Sequence, residues 1–108
     1  MQLATEIFGN VIVVHSPEDL GRDQAEAFCT FISGLDRRNV VLDLDNTESI
    51  DSSGLEALLK SQDQLRENLG DLTVATTNKV NRKILEITAL DENIEVFESV
   101  IDAVRSFV

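Results

Sequence analysis

The chain of 108 residues is poor in basic groups: 9 Lys or Arg stand against 20 Asp or Glu, a formal net charge of −11. Nucleic acid and anionic lipid surfaces would be repelled by such a chain, so neither is expected as its main partner. It has one cysteine, Cys29, which excludes an internal disulfide. Its first residues, MQLATEIFGN, lack the basic and apolar regions of a signal peptide. A reducing, cytoplasmic location is therefore expected. No apolar run approaches the ~18 residues of a membrane span, so direct membrane insertion is not expected. With one proline, five glycines and no Ser-, Gln- or Gly-rich tract, no linker, low-complexity segment or internal repeat is found. No Cys/His pair has zinc spacing and no Walker-type glycine loop is present, so neither metal nor cofactor is expected.

What is present is 43% apolar residues, enough for one domain over 1–108 whose core buries roughly two-thirds of the extended chain's surface. Leu3 to Phe8, a turn signal at Gly9-Asn10 and the apolar run Val11 to Val14 predict a β-hairpin. Ser16-Pro17-Glu18-Asp19 suits a helix start or a tight loop. Ala25, Phe28, Cys29 and Ile32 then follow at helical spacing, predicting a helix over 22–34 stopped by Gly34. Val40-Val41-Leu42-Asp43-Leu44 reads as a central strand covered on both faces. Leu55, Leu58, Leu59, Leu65 and Leu69 predict a long helix over 52–69, ended by Gly70. A strand at 72–76, a short helix marked by Val80, Ile84 and Ile87, and a strand at 94–97 follow. The last element is a helix capped by Ser99, with Val100, Ile101, Val104 and Val108 as its apolar stripe. The order β β α β α β α β α implies an α/β fold, with a mostly parallel sheet that opens on an antiparallel hairpin.

Chemistry is sought first in the segment Asp45 to Gly54, because ligands and partners of such sheets meet the loops at the carboxyl ends of strands. Ser53 followed by Glu56 fits a capping box, and Asp51 suits the positive end of a helix dipole. A hydroxyl so placed can also carry a phosphate, whose charge of about −1.5 to −2 would lie beside free N–H donors.

The run Val40 to Leu44 followed by Ile50-Asp51-Ser52-Ser53-Gly54-Leu55 resembles the signature of the STAS domain, found in anti-sigma factor antagonists and sulfate transporters. The stretch Asn78 to Asp91, and Ile94 to Phe97 after it, are similar to the family's third-helix region, so the resemblance covers nearly the whole chain. The chain differs where many antagonists carry Gly-Glu-Leu-Asp before the first helix, since Gly21 stands in place of the final Asp. It also has Glu56 and Ala89 where glycine is frequent in the family. The resemblance implies a non-enzymatic, partner-switching regulator of transcription. It places phosphorylation on Ser53, by an anti-sigma factor that is itself a serine kinase of the ATPase fold, with reversal by a PP2C-type phosphatase. Asp51, Ser52, Gly54, Leu55, Glu56 and Leu59 are the partner-binding residues so implied, with Gly54 admitting a partner's backbone and Leu55 or Leu59 exposed for docking. The alternative is a docking STAS subunit of a stressosome-like or lipid-trafficking ABC-transporter complex, without sigma-factor control.

Other chemistries fail on residue supply. A receiver domain needs an acidic pair after the first strand and a lysine after the last; Phe8-Gly9-Asn10 and Phe97-Glu98-Ser99 offer neither. A hydrolase would need a base for Ser53, and the single histidine, His15, is read as an exposed loop or strand-edge residue. Lys79, Arg82 and Lys83 form a basic cluster, read either as a solvated helix face or as an orienting patch for an acidic surface or a nucleotide phosphate.

Overall fold

A computed structural model describes residues 1–108. The Gly9-Asn10 turn, with Gly9 at φ 63°, closes a hairpin of β1 (Thr5–Phe8) and β2 (Val11–His15). The positive φ is where glycine costs nothing and most side chains are strained. β3 (Asp19–Leu20), α1 (Arg22–Ser33), β4 (Asn39–Asp43), β5 (Ser49–Ile50) and α2 (Ser52–Glu67) follow. Then come β6 (Asp71–Ala75), α3 (Lys79–Ile87), a 3-10 turn at Leu90–Glu92, β7 (Val96–Phe97) and α4 (Val100–Arg105). The main sheet has the order β1-β2-β4-β6-β7, antiparallel only between β1 and β2, with β4 at its centre as predicted. Val40, Val41 and Leu42 are wholly buried because both faces of β4 are covered.

Alternation along the strands divides the core into two layers. Ile12, Val14, Val40, Leu42, Leu72 and Val74 face Phe28, Ile32, Leu58 and Leu85 of the first three helices. Val11, Val13, Val41 and Ala75 face Ala103 of α4, with Val100, Val104 and Phe107 packed around them. Two predicted apolar stripes are therefore displaced. On α3, Val80 and Ile87 are 66% and 73% exposed, while Asn81 and Leu85 point inward. Asn81 sets this rotation by donating its amide to the carbonyls of Leu44 (3.1 Å) and Thr47 (2.9 Å). On α4, Ile101 and Val108 face outward; the short helix lies against the sheet through the small Ala103.

Two further departures have backbone causes. The long helix is closed by Leu69, not by Gly70: Leu69 takes the left-handed conformation (φ 66°), and the Gly70 N–H returns to the Leu65 carbonyl at 2.8 Å. Gly70 is held by crowding, since a Cβ there would lie 2.0 Å from the Arg38 carbonyl oxygen. Ala89, where the family often has glycine, is likewise left-handed at φ 58°. Of the two readings of Ser16 to Asp19, the loop is found: residues 16–18 lead into a second, two-stranded sheet, in which β3 pairs with β5 in parallel. That small sheet brings the start of α1 beside the start of α2.

Candidate functional site

The site is built where those two helix starts meet. Asp51 has extended backbone (φ −104°) and is the N-cap of α2: its Oδ1 accepts the Gly54 N–H at 3.0 Å. Its Oδ2 accepts the Arg22 N–H, in the first turn of α1, at 3.1 Å. One carboxylate thus satisfies orphan donors of two helices. The predicted capping box of Ser53 and Glu56 is not formed. Ser52 and Ser53 are instead the first two residues of the helix, and their hydroxyls have no capping duty. The N–H groups of Gly54 and Arg22, aided by that of Ser53 and the Arg22 charge, hold the Asp51 carboxyl below the usual carboxylate range, against a smaller opposing effect of burial.

A lowered carboxyl pKa stabilises the folded state above the unfolded group's pKa, and this contribution is lost as pH falls through the folded value. Asp51→Ala is therefore expected to lower the melting temperature at pH 7 by about 4–8 °C, as loss of one helix cap does in a domain of this size. The difference from the native chain should shrink as the pH is taken well below 4, which thermal melts across pH would show.

The rest of the site is held by its loops. The Thr47 hydroxyl donates to the Pro17 carbonyl at 2.8 Å, and the Glu48 N–H donates to the Glu18 carbonyl at 2.7 Å. Asn81 holds the other side of the same loop. The Asp45 carboxylate accepts the Thr77 N–H at 2.6 Å, tying the loop to the start of α3. On the exposed rim, the neighbouring Glu48 carboxylate, and then Asp19, raise the Glu18 carboxyl above its ordinary value. The rim therefore gathers three exposed carboxylates, Glu18, Asp19 and Glu48.

Asp51, Ser52 and Glu56 are exposed and Ser53 is half-buried, so these four share one surface. Gly54 lies beneath it, buried; a Cβ at this position would fall 2.0 Å from the Leu20 carbonyl oxygen. The space expected to admit a partner's backbone is filled by the chain's own β3. Leu55 and Leu59 are both half-buried, packed in part against the main core. Gly21 has a local cause: a Cβ there would lie 2.9 Å from Asp51 Oδ2, inside the double cap. His15 is not a loose edge residue, because its imidazole meets Asp43 Oδ2 at 3.0 Å and Glu6 Oε2 at 3.5 Å across three strands. Of the basic cluster, Arg82 lies 3.8 Å from Glu86, one turn along α3.

Ser53 also opens onto a groove of about 520 Å³ between α1 and α2, whose walls include Arg22, Cys29, Glu56 and Lys60. The Cys29 thiol donates to the Ala57 carbonyl at 3.6 Å, which holds the two helices together in the groove floor. Sequence reasoning missed Arg22 and Asn81. An arginine opening a helix and one asparagine in an amphipathic helix carry no local signal of a site.

Comparison with known proteins agrees with this architecture. An anti-sigma factor antagonist from Mycobacterium paratuberculosis superimposes with a TM-score of 0.84 at 22% identity, covering 97% of this chain and 92% of that one. The phosphorylated form of the Bacillus cell fate determinant SpoIIAA gives a TM-score of 0.71 at 15% identity, over 99% of this chain and 100% of that one. A sulfate transporter family protein from Wolinella succinogenes gives 0.78 at 14% identity, over 91% and 84%. At these identities the likeness establishes the fold. No curated protein matches the sequence. No helix is long and apolar enough to cross a membrane. Residues 3–103 match the STAS domain family, a span that takes in the strand-to-helix motif, the double cap and both core layers, and the chain belongs to that family.

Proposed function

We propose that the chain is an anti-sigma factor antagonist, acting in the cytoplasm as a switch controlled by phosphorylation of Ser53. Unphosphorylated, it sequesters an anti-sigma factor that is also a serine kinase of the ATPase fold, and so frees a sigma factor. The kinase transfers the γ-phosphoryl group of ATP to Ser53 Oγ, the hydroxyl proton and ADP depart, and the complex dissociates. A PP2C-type phosphatase hydrolyses the phosphoserine and restores binding. Asp51, Ser52 and Glu56 surround the acceptor on the docking surface, while Gly54, Leu55 and Leu59 support it from below.

The observation that carries this reading is the division of labour at the start of α2. Asp51 supplies the cap, so Ser53 can gain a phosphate without costing the helix its first turn. Charge at that helix end is favoured by roughly 0.3–1 kcal/mol. Incubation with the cognate kinase and ATP should add one phosphate, lost in Ser53→Ala and retained in Ser52→Ala. The reverse pattern would move the acceptor. Because Ser53 is not the cap, Ser53→Ala should stay within about 0.5 kcal/mol of the native stability. Co-purification with a transporter subunit in place of an ATPase-fold kinase would support the docking role instead.

A further inference from the structure

We infer that Arg22 is a phosphate-binding residue: a phosphate on Ser53 turns into the groove between α1 and α2 and pairs there with the Arg22 guanidinium. This rests on the Ser53 reading and adds to it a built-in counter-charge supplied by the other helix.

Three observations converge on Arg22. It lines the same groove as Ser53, from the opposite helix. The shared Asp51 carboxylate brings the two helix starts level, since it is bonded to the Arg22 N–H and the Gly54 N–H at once. The Arg22 side chain is also unclaimed. The ion pairs of the fold join His15 to Glu6 and Asp43, Arg37 to Asp36, Arg66 to Asp71 and Arg82 to Glu86. Its charge reaches the site, being one of the influences that lower the Asp51 carboxyl. A planar guanidinium presents paired donors that match phosphate oxygens, which a lone ammonium does not.

The opposing groups are Asp51, whose carboxylate is already held by the N–H groups of Arg22 and Gly54, and two glutamates that face the groove: Glu26, one turn beyond Arg22 on α1, and Glu56, three residues beyond Ser53 on α2. Lys60, four residues after Glu56, lines the same groove and adds a second positive charge to it. A phosphate carries about −1.5 to −2 against the single charge of Glu26, so it is the stronger partner for Arg22. Pairing within the chain stabilises the free phosphoprotein and must be disrupted when a partner covers the same surface, so it reinforces release.

The test needs no kinase. Phosphoserine is installed at position 53 by genetic encoding, and its second ionisation, about 6 for an unperturbed phosphoserine, is titrated by phosphorus NMR. Arg22→Gln is expected to raise that pKa by about half a unit or more, roughly threefold in the ionisation constant, and Glu56→Gln to lower it. Phosphoserine at the exposed position 52 should respond to Arg22→Gln far less. Arg22→Gln keeps the backbone N–H that bonds Asp51, and an unchanged melting temperature before phosphoserine is installed would confirm a native fold. A titration indifferent to Arg22, or equally sensitive at positions 52 and 53, overturns the pairing. If kinase labelling of Ser53 succeeds while this titration is flat, the switch stands and the Arg22 contact falls. If the titration responds while no kinase labels Ser53, the switch falls and the contact stands.

Discussion

Gly54→Val is expected to cost the protein most or all of its folded population. Helix propensity alone argues otherwise, since glycine inside a helix is disfavoured by about 1 kcal/mol relative to alanine, and Gly54 lies in the first turn of α2. Packing decides against that gain. The Cβ of any other residue would sit 2.0 Å from the Leu20 carbonyl oxygen and 3.2 Å from Ile50 Cγ2. The carbonyl is backbone and cannot turn aside as a side chain would. The same Leu20 carbonyl accepts the Asp51 N–H at 3.3 Å, and Leu20 pairs with Ile50 in the small sheet. Moving it therefore disturbs β3, β5 and the cap that Asp51 provides to two helices. Overpacking typically costs 1–3 kcal/mol, and here loss of these bonds adds to it, so a total of roughly 3–6 kcal/mol is expected against a usual stability of about 5–15. Gly54→Ala should already be destabilised, because the clash begins at Cβ. Urea denaturation reads both variants. A Gly54→Val protein with a native midpoint would show that β3 can move freely, and the argument from close packing would be lost.

Phosphorylation of Ser53 is expected to weaken binding of the kinase partner by two to three orders of magnitude while leaving the fold unchanged. A partner matched to the neutral hydroxyl and to the acidic rim of Glu18, Glu48 and Asp51 must either desolvate the added phosphate or pull it from its counter-charge. An uncompensated buried charge costs on the order of 3–5 kcal/mol, which gives the stated loss in affinity. The fold is indifferent because the cap, the core contacts of Leu58 and the Leu20 contact of Gly54 do not involve the Ser53 hydroxyl. Calorimetry with unmodified and phosphorylated protein measures the loss. Amide NMR of the free phosphoprotein should show changes confined to the starts of α1 and α2. Equal affinity, or shifts spread through β4 and β6, would exclude a local switch.

The sequence alone determined the order of the helices and main-sheet strands, the central place of β4 and the starts of α1 and α2, because these depend on signals read within one segment. The Gly9-Asn10 turn sets the hairpin, the unbroken run Val40 to Leu42 can only be buried on both faces, and Phe28 and Ile32 recur at the helical period. It also singled out the candidate site, since Asp51 to Gly54 stands between a buried strand and a long helix. The roles of the residues within the site were decided only in three dimensions. Two-residue strands have no periodicity to read, so the pairing of Asp19 with Ser49 and of Leu20 with Ile50 appears only once distant segments meet. That pairing makes Asp51, not Ser53, the cap, places a backbone carbonyl over Gly54 and sets Arg22 beside the serines. The same holds for the rotation of α3. Its outward Val80 and Ile87 would lead a pattern of hydrophobicity, but the Thr47 carbonyl needs a buried donor, and Asn81 supplies it while adding a second bond to the Leu44 carbonyl, which already accepts the Thr47 N–H. An unpaired buried carbonyl costs about 1–3 kcal/mol, so satisfying that of Thr47 helps decide which face of a nine-residue helix turns inward.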